Sequence, residues 1–324
     1  MTVPAAAHST TPGPPGWYAD PWTSGGWRWW DGARWTANAA LSEEQKPRLP
    51  AWLSVPVVAC SLLAVPLMAW FAYQAPRAVL FGLTPLLIVL PVLLWFDRVE
   101  PEPWPSRLHA LLWGAVVATT ISLIVNTVIG IFGGTILATA VGAPIVEEST
   151  KGLGVIWAVR RKEVDSVMDG VIYAGWVALG FAVFEDFSYF ASADASGEFW
   201  TVFLVRAILT PFAHPLFTSW IGLSIGITVA KQEALGLRVL GGWLVAMACH
   251  GLWNGSLVAS DLAGSNRILI VAASGFAILF LASLIALGRV RRHERKQFGR
   301  IAPTSPTPTA CPKRRLHRSP TGEP

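Results

Sequence analysis

Gly142-Ala143-Pro144-Ile145-Val146-Glu147-Glu148-Ser149-Thr150-Lys151-Gly152 sets two adjacent carboxylates and a lysine inside an apolar run from Thr135 to Val159. About 20 apolar residues suffice to cross a bilayer, so the run is long enough to span. A charge at the centre of such a helix costs roughly 2.5–3.5 kcal/mol on the insertion scale, and three cost about 9. The Ile, Leu and Val residues of the run return only about 4 kcal/mol. The three charges therefore cannot face lipid. They must point into a helix bundle and find partners there, and the fold expected is an all-α polytopic membrane protein.

The rest of the chain agrees with that reading. Its 324 residues are 53% hydrophobic and 14% charged, values that suit a polytopic membrane protein better than a soluble globule. Further apolar spans lie at 52–73, 78–96, 108–132, 170–191, 199–230, 239–259 and 267–288, which makes about eight transmembrane helices over 52–288. The net charge of +5 could suggest nucleic acid, but the basic residues gather beside apolar runs, so no nucleic-acid partner is expected. Lys46 and Arg48, Arg98 and Arg107, Arg160-Arg161-Lys162, Lys231 and Arg238, and the tail all belong on the cytoplasmic side. Eight crossings satisfy this with both termini inside a plasma membrane. The span 199–230 would measure about 48 Å as one helix against a roughly 30 Å core. Pro211 and Pro215 should break it.

Outside the spans the chain is polar or aromatic. Residues 1–14 are expected to be disordered, 38–51 to be a linker, and 289–324 a basic, Pro-rich disordered cytoplasmic tail carrying Lys313-Arg314-Arg315. No apolar signal-peptide core stands in the first fifty residues. Cys60, Cys249 and Cys311 are far apart and form no CxxC, so neither a thiolate zinc site nor a disulfide framework is indicated. Between 15 and 37, six of the 17 tryptophans flank Asp31-Gly32, a strong hairpin signal, so a small Trp-rich β-hairpin module is expected. It reads either as a binding module for a protein partner or as a mini-fold lying against the membrane.

The polar groups inside the spans carry the functional argument. Glu147 and Lys151 lie one turn apart on one face, with Glu148 about 100° away. By this spacing Lys151 neutralises Glu147 and leaves Glu148 the freer carboxylate. The next spans supply Glu185 with Asp186, Arg206 with His214, and His250 with Asn254 one turn on. Glu147, His214 and His250 fall near the midplane, with Glu185 somewhat outside. Intramembrane ionisable groups are functional by default. Two imidazoles and a carboxylate suit zinc with an open position for water, and Glu147 or Glu148 could take its proton. A metal-free route would instead hold the oxyanion with His250 and Asn254. A transporter relay and a catalytically silent scaffold use the same groups in other ways. Asp186 and Arg206 read as a structural pair, and so do Asp97, Glu100 and Glu102 with Arg98.

At these residues the chain resembles the PrsW family of intramembrane proteases, relatives of the CaaX-processing and bacteriocin-immunity membrane proteases. Glu147-Glu148-x-x-Lys151 matches an EExxK motif and Phe181-x-x-x-Glu185 an FxxxE motif. His214 follows in a broken helix, and His250-x-x-x-Asn254 has the form HxxxN. The resemblance covers roughly 50–290 and implies a membrane-embedded metalloprotease. It implies Glu147 and Glu148 as source of the base, with Lys151 and Asn254 in support, and Glu185, His214 and His250 as ligands of a metal, taken as Zn2+. The family's name member cleaves a membrane-spanning anti-sigma factor. The CaaX-type relatives carry His where this chain has Glu185, which favours a metal ligand there over an oxyanion donor. Residues 15–37 resemble a short Trp-rich domain of unknown function found in many actinobacterial membrane proteins.

Overall fold

A computed structural model describes residues 13–22, 26–41, 55–98 and 101–301. The disorder expected for 1–12, the linker part 42–51 with Lys46 and Arg48, Glu100, and the tail part 302–324 with Cys311 and Lys313-Arg314-Arg315 lie outside the described residues; 289–301, expected to be disordered tail, is helical.

The chain divides into two units. In the N-terminal one, β1 (Gly16–Ala19), β2 (Gly26–Trp30) and β3 (Trp35–Leu41) pair antiparallel in that order. The expected hairpin is β2–β3. Asp31 accepts the backbone N–H groups of Ala33 and Arg34, both at 2.8 Å, and Gly32 takes φ +100°. Those two N–H donors hold the Asp31 carboxyl below its ordinary range. The sheet nonetheless has three strands. Tyr18 pairs with Arg28 and Trp17 with Trp29, so β1 adds to the other edge of β2, and β3 runs on past residue 37. Buried Trp30 meets Trp35 edge-on at 5.3 Å, and Arg28 closes a 3.0 Å ion pair on Asp20.

The larger unit is helical. Its elements are α1 (Val55–Gln74), α2 (Pro76–Gly82), α3 (Thr84–Asp97), α4 (Trp104–Leu112), α5 (Thr119–Gly133), α6 (Thr135–Leu137), α7 (Ala143–Arg160), α8 (Val167–Ser196), α9 (Phe199–Phe203), α10 (Ala213–Ala230), α11 (Leu237–Ala263) and α12 (Arg267–Ile301). Among the described residues, six helices are long and apolar enough to cross a membrane: Val55–Gln74, Pro76–Asp97, Trp104–Gly133, Val167–Ser196, Phe199–Ala230 and Arg267–Arg292. The two of the eight expected spans that miss this measure are α7 and α11, which carry the EExxK and HxxxN stretches. Leu62, Leu63, Ile131, Phe132, Val271 and Ile278 stand exposed on the outer faces of α1, α5 and α12. Such continuous apolar surface needs hydrocarbon around it.

The bundle is built on α8, whose residues are buried on nearly every side. Its start is specified locally. Ser166 accepts the N–H of Asp169 while Asp169 accepts the N–H of Ser166, a reciprocal capping box. Gly170 lies against Gly222 and Gly226 of α10, where any Cβ would collide with backbone. With no hydrophobic drive between helices in lipid, such small residues let them approach closely. Among the described residues, three π-helical stretches interrupt the ladders, Trp113–Ala118, Ala138–Gly142 and Leu204–Leu209. The break expected in the sixth span falls at Thr210–Phe212, between the last of these and α10. Pro211 sits in the break. Pro215 falls in the first turn of α10, where a missing N–H does little harm.

Candidate active site

Four helices deliver the site. The turn Ala143–Lys151 of α7 projects Glu147, Glu148 and Lys151 inward, and all three are buried. From α8 come Glu185 and Asp186, from α10 His214 and Thr218, and from α11 His250 and Asn254.

Lys151 is the hub. Its Nζ lies 2.8 Å from Glu148 Oε1, 3.4 Å from Glu147 Oε2 and 3.0 Å from His214 Nδ1. It also stands 3.8 Å from the Phe181 ring centroid. Helix spacing pairs this lysine with Glu147, yet the ammonium sits nearer Glu148. Four methylenes reach the residue three back as easily as the one four back, and the surroundings decide between them. Glu148 is fully committed. It accepts from Lys151, from Thr218 Oγ1 at 2.8 Å and from His250 Nδ1 at 3.0 Å. Glu147 is the looser one, with Asn126 Nδ2 at 3.5 Å from Oε1 and His250 Nε2 at 3.9 Å from Oε2.

These contacts set the imidazoles. An ammonium has no acceptor, so His214 Nδ1 accepts from Lys151 and its Nε2–H donates to Glu185 Oε2 at 2.6 Å. Glu185 is held by Arg206, whose Nη2 donates to it at 2.6 Å while Nε donates to Asp186 at 2.7 Å. His250 likewise donates Nδ1–H to Glu148. Each imidazole therefore has one nitrogen tied to a carboxylate, the arrangement that orients metal-ligating histidines. One ligand atom from each of Glu147, His214 and His250 lies within 4.8 Å of the other two. Two nitrogens and one oxygen at that separation are a donor set that could hold a metal ion, with His214 Nδ1 then given up by Lys151. The ligand set read from sequence had Glu185 in place of Glu147. Here Glu185 bonds His214 Nε2 and lines the neighbouring cavity, while Glu147 is the carboxylate grouped with the two imidazoles.

An open cavity of about 70 Å³ reaches the His214 and His250 side of this cluster, lined by Glu185, Arg206, Tyr189, His214, His250 and Asn254 among others. Asn254 does not point its amide at the cluster. Its Nδ2 donates to the Thr139 carbonyl at 3.0 Å. Sequence reasoning missed Thr218 and Asn126; it paired Arg206 with Asp186, as the structure does, but not with Glu185. Thr218 is one turn beyond His214 on the same helix face, a spacing that could have found it. Asn126 stands alone in an apolar stretch, and nothing in its spacing marks it.

A helical membrane bundle with carboxylates and imidazoles converging at membrane depth around an open cavity is the equipment of an intramembrane hydrolase. Comparison with known proteins narrows the class. Residues 102–286 match the family described as PrsW family intramembrane metalloprotease, and the chain belongs to that family. It is 29% identical over 231 residues to Protease PrsW of Clostridioides difficile (strain 630), covering 66% of this chain and 93% of that protein. Proteins of the same name from Geobacillus kaustophilus (strain HTA426) and Bacillus subtilis (strain 168) are each 25% identical, over 201 and 209 residues. The alignments cover 61% and 64% of this chain, and 87% and 88% of those proteins. Residues 15–48 match a domain of unknown function, DUF2510. No solved structure matches. The protein is a multi-pass membrane hydrolase, an intramembrane protease, and the transporter and silent-scaffold readings fall away.

Proposed function

We propose that this protease cuts a membrane-protein substrate at the Glu147–His214–His250 cluster, with zinc held by those three residues. The convergence of their donor atoms within 4.8 Å is the observation that carries the reading. Zinc there would supply a polarised carbonyl and a water acidic enough to attack near neutral pH. The chain's own groups do the rest. Glu147 keeps an oxygen that meets only the Asn126 amide at 3.5 Å, so it is the carboxylate with capacity to accept the proton of the attacking water. Glu148 and Glu185 hold the outer N–H groups of His250 and His214. The Lys151 ammonium lets three carboxylates gather at one depth. A scissile segment enters through the open cavity lined by Glu185, His214 and His250.

The metal-free route fits less well. It asks His250 and Asn254 to donate to an oxyanion, but His250 Nδ1 is engaged by Glu148 and the Asn254 amide by Thr139. We further place α7 and α11 across the membrane, because the site residues they carry must meet those of α8 and α10. That makes eight crossings with both termini cytoplasmic in the plasma membrane. The substrate to try first is a membrane-spanning anti-sigma factor.

The test is cleavage of such a substrate by purified protein in detergent. Glu147→Gln and His214→Ala should each lower kcat by about 10²–10⁴-fold. Full activity in both variants overturns the assignment.

A further inference from the structure

Asn254 and the Ala138–Gly142 π-helical stretch present a feature that the reaction itself does not use. In that stretch each N–H reaches back five residues, and the Ala143 N–H accordingly donates to the Ala138 carbonyl. The next donor in the pattern, for the Thr139 carbonyl, would be the N–H of residue 144. Residue 144 is proline and has none. A carbonyl orphaned inside a membrane bundle costs several kcal/mol unless something else donates to it. Asn254 Nδ2 does so at 3.0 Å, from a neighbouring helix. Gly251, on the same face of α11, brings that helix to within van der Waals reach of Pro144 and the Ala140 carbonyl. The junction is thus sealed from α11, three residues ahead of Glu147.

The geometry points to Asn254 as a positioning residue: its carboxamide stands in for the backbone N–H that Pro144 lacks and so fixes the first turn of α7 and the aim of Glu147 and Glu148. Pro144 opens the gap, and Asn254 closes it with a bond tied to the helix that carries His250. The two glutamates and His250 are thereby held in one register. The inference rests on the proposed role of Glu147 and assigns Asn254 no contact with substrate.

A double-mutant cycle tests it, because Pro144→Ala restores the missing N–H. Wild type, Asn254→Ala, Pro144→Ala and the double variant are purified full length, and kcat, KM and backbone amide exchange over residues 143–151 are measured. Asn254→Ala should lower kcat by about 10²-fold, the scale of an ångström of misplacement, with KM unchanged and exchange accelerated. Added to Pro144→Ala, the same change should cost less than about 10-fold and leave exchange at the Pro144→Ala level. Equal losses in both backgrounds, with exchange unmoved, overturn the inference and make Asn254 a contact to the reacting group. Should Asn254→Ala fail to fold, Pro144→Ala must rescue it, and no rescue is again a refutation. Glu147→Gln serves as the control. Full activity there removes the proposed function but leaves the exchange comparison to decide the Asn254–Thr139 bond.

Discussion

Two clusters of buried charge stand in this bundle, and they are built differently. Around the α3–α4 junction, Asp97 pairs with Arg107 and accepts the Glu102 N–H at 3.0 Å, while Tyr173 donates to Glu102 at 2.7 Å. Each acid there meets a guanidinium, a phenol or a backbone donor, and none of these groups lines the cavity that reaches His214 and His250. The α7–α8–α10–α11 cluster instead contains two imidazoles, each tied at one nitrogen to a carboxylate; the other nitrogen of His214 accepts from Lys151, and that of His250 lies 3.9 Å from Glu147. Nearby His109 completes the contrast: it is buried, stacks on Trp157 at 3.6 Å, and neither ring nitrogen has a bonding partner. Burial of charge, or of an imidazole, therefore does not mark chemistry. Convergence of oriented donors does.

The sharpest way to break this contrast is to neutralise one acid in each cluster. Glu147→Gln should lower kcat by about 10³-fold while the protein remains folded, whereas Asp97→Asn should spare kcat per folded molecule and lower stability instead. A kcat loss of similar size from Asp97→Asn would erase the distinction. Next in size is Lys151→Met, which strands Glu147 and Glu148 without their cation. It should destabilise the protein by about 3–5 kcal/mol, read by thermal unfolding in detergent, and an unchanged midpoint would deny the lysine its role as hub. Glu185→Gln frees the His214 N–H from a charged acceptor. Metal affinity, read by chelator competition, should drop about 10–100-fold, and unaltered affinity would remove His214 from the ligand set. The smallest effect belongs to Thr218→Val, which removes one of three donors to Glu148. A loss of about 1–3 kcal/mol in stability is expected, with metal content retained.

Much of this was legible in the chain. An insertion cost of about 9 kcal/mol in one span demanded a bundle. Pro211 announced the broken helix, and the spacings 147/151 and 250/254 placed groups on common faces. The parts that were not legible depend on tertiary partners. Lys151 turns to Glu148 because of charges and donors on α8, α10 and α11, which spacing along α7 does not contain. The π-helical stretch before Pro144 left a carbonyl that only a neighbouring helix could fill, so Asn254 read as an oxyanion donor. In the N-terminal unit, β1 joins the Asp31-Gly32 hairpin by pairing with the other edge of β2, and a turn signal says nothing of a third strand.

The central claim is that Glu147, His214 and His250 form one metal centre, and metal stoichiometry tests it most directly. Purified full-length protein, loaded with zinc and passed through a desalting column, should retain one ion per chain. His214→Ala and His250→Ala should retain none, and Asp97→Asn should retain one. Retention of the ion by both histidine variants, with wild-type affinity, would contradict the account.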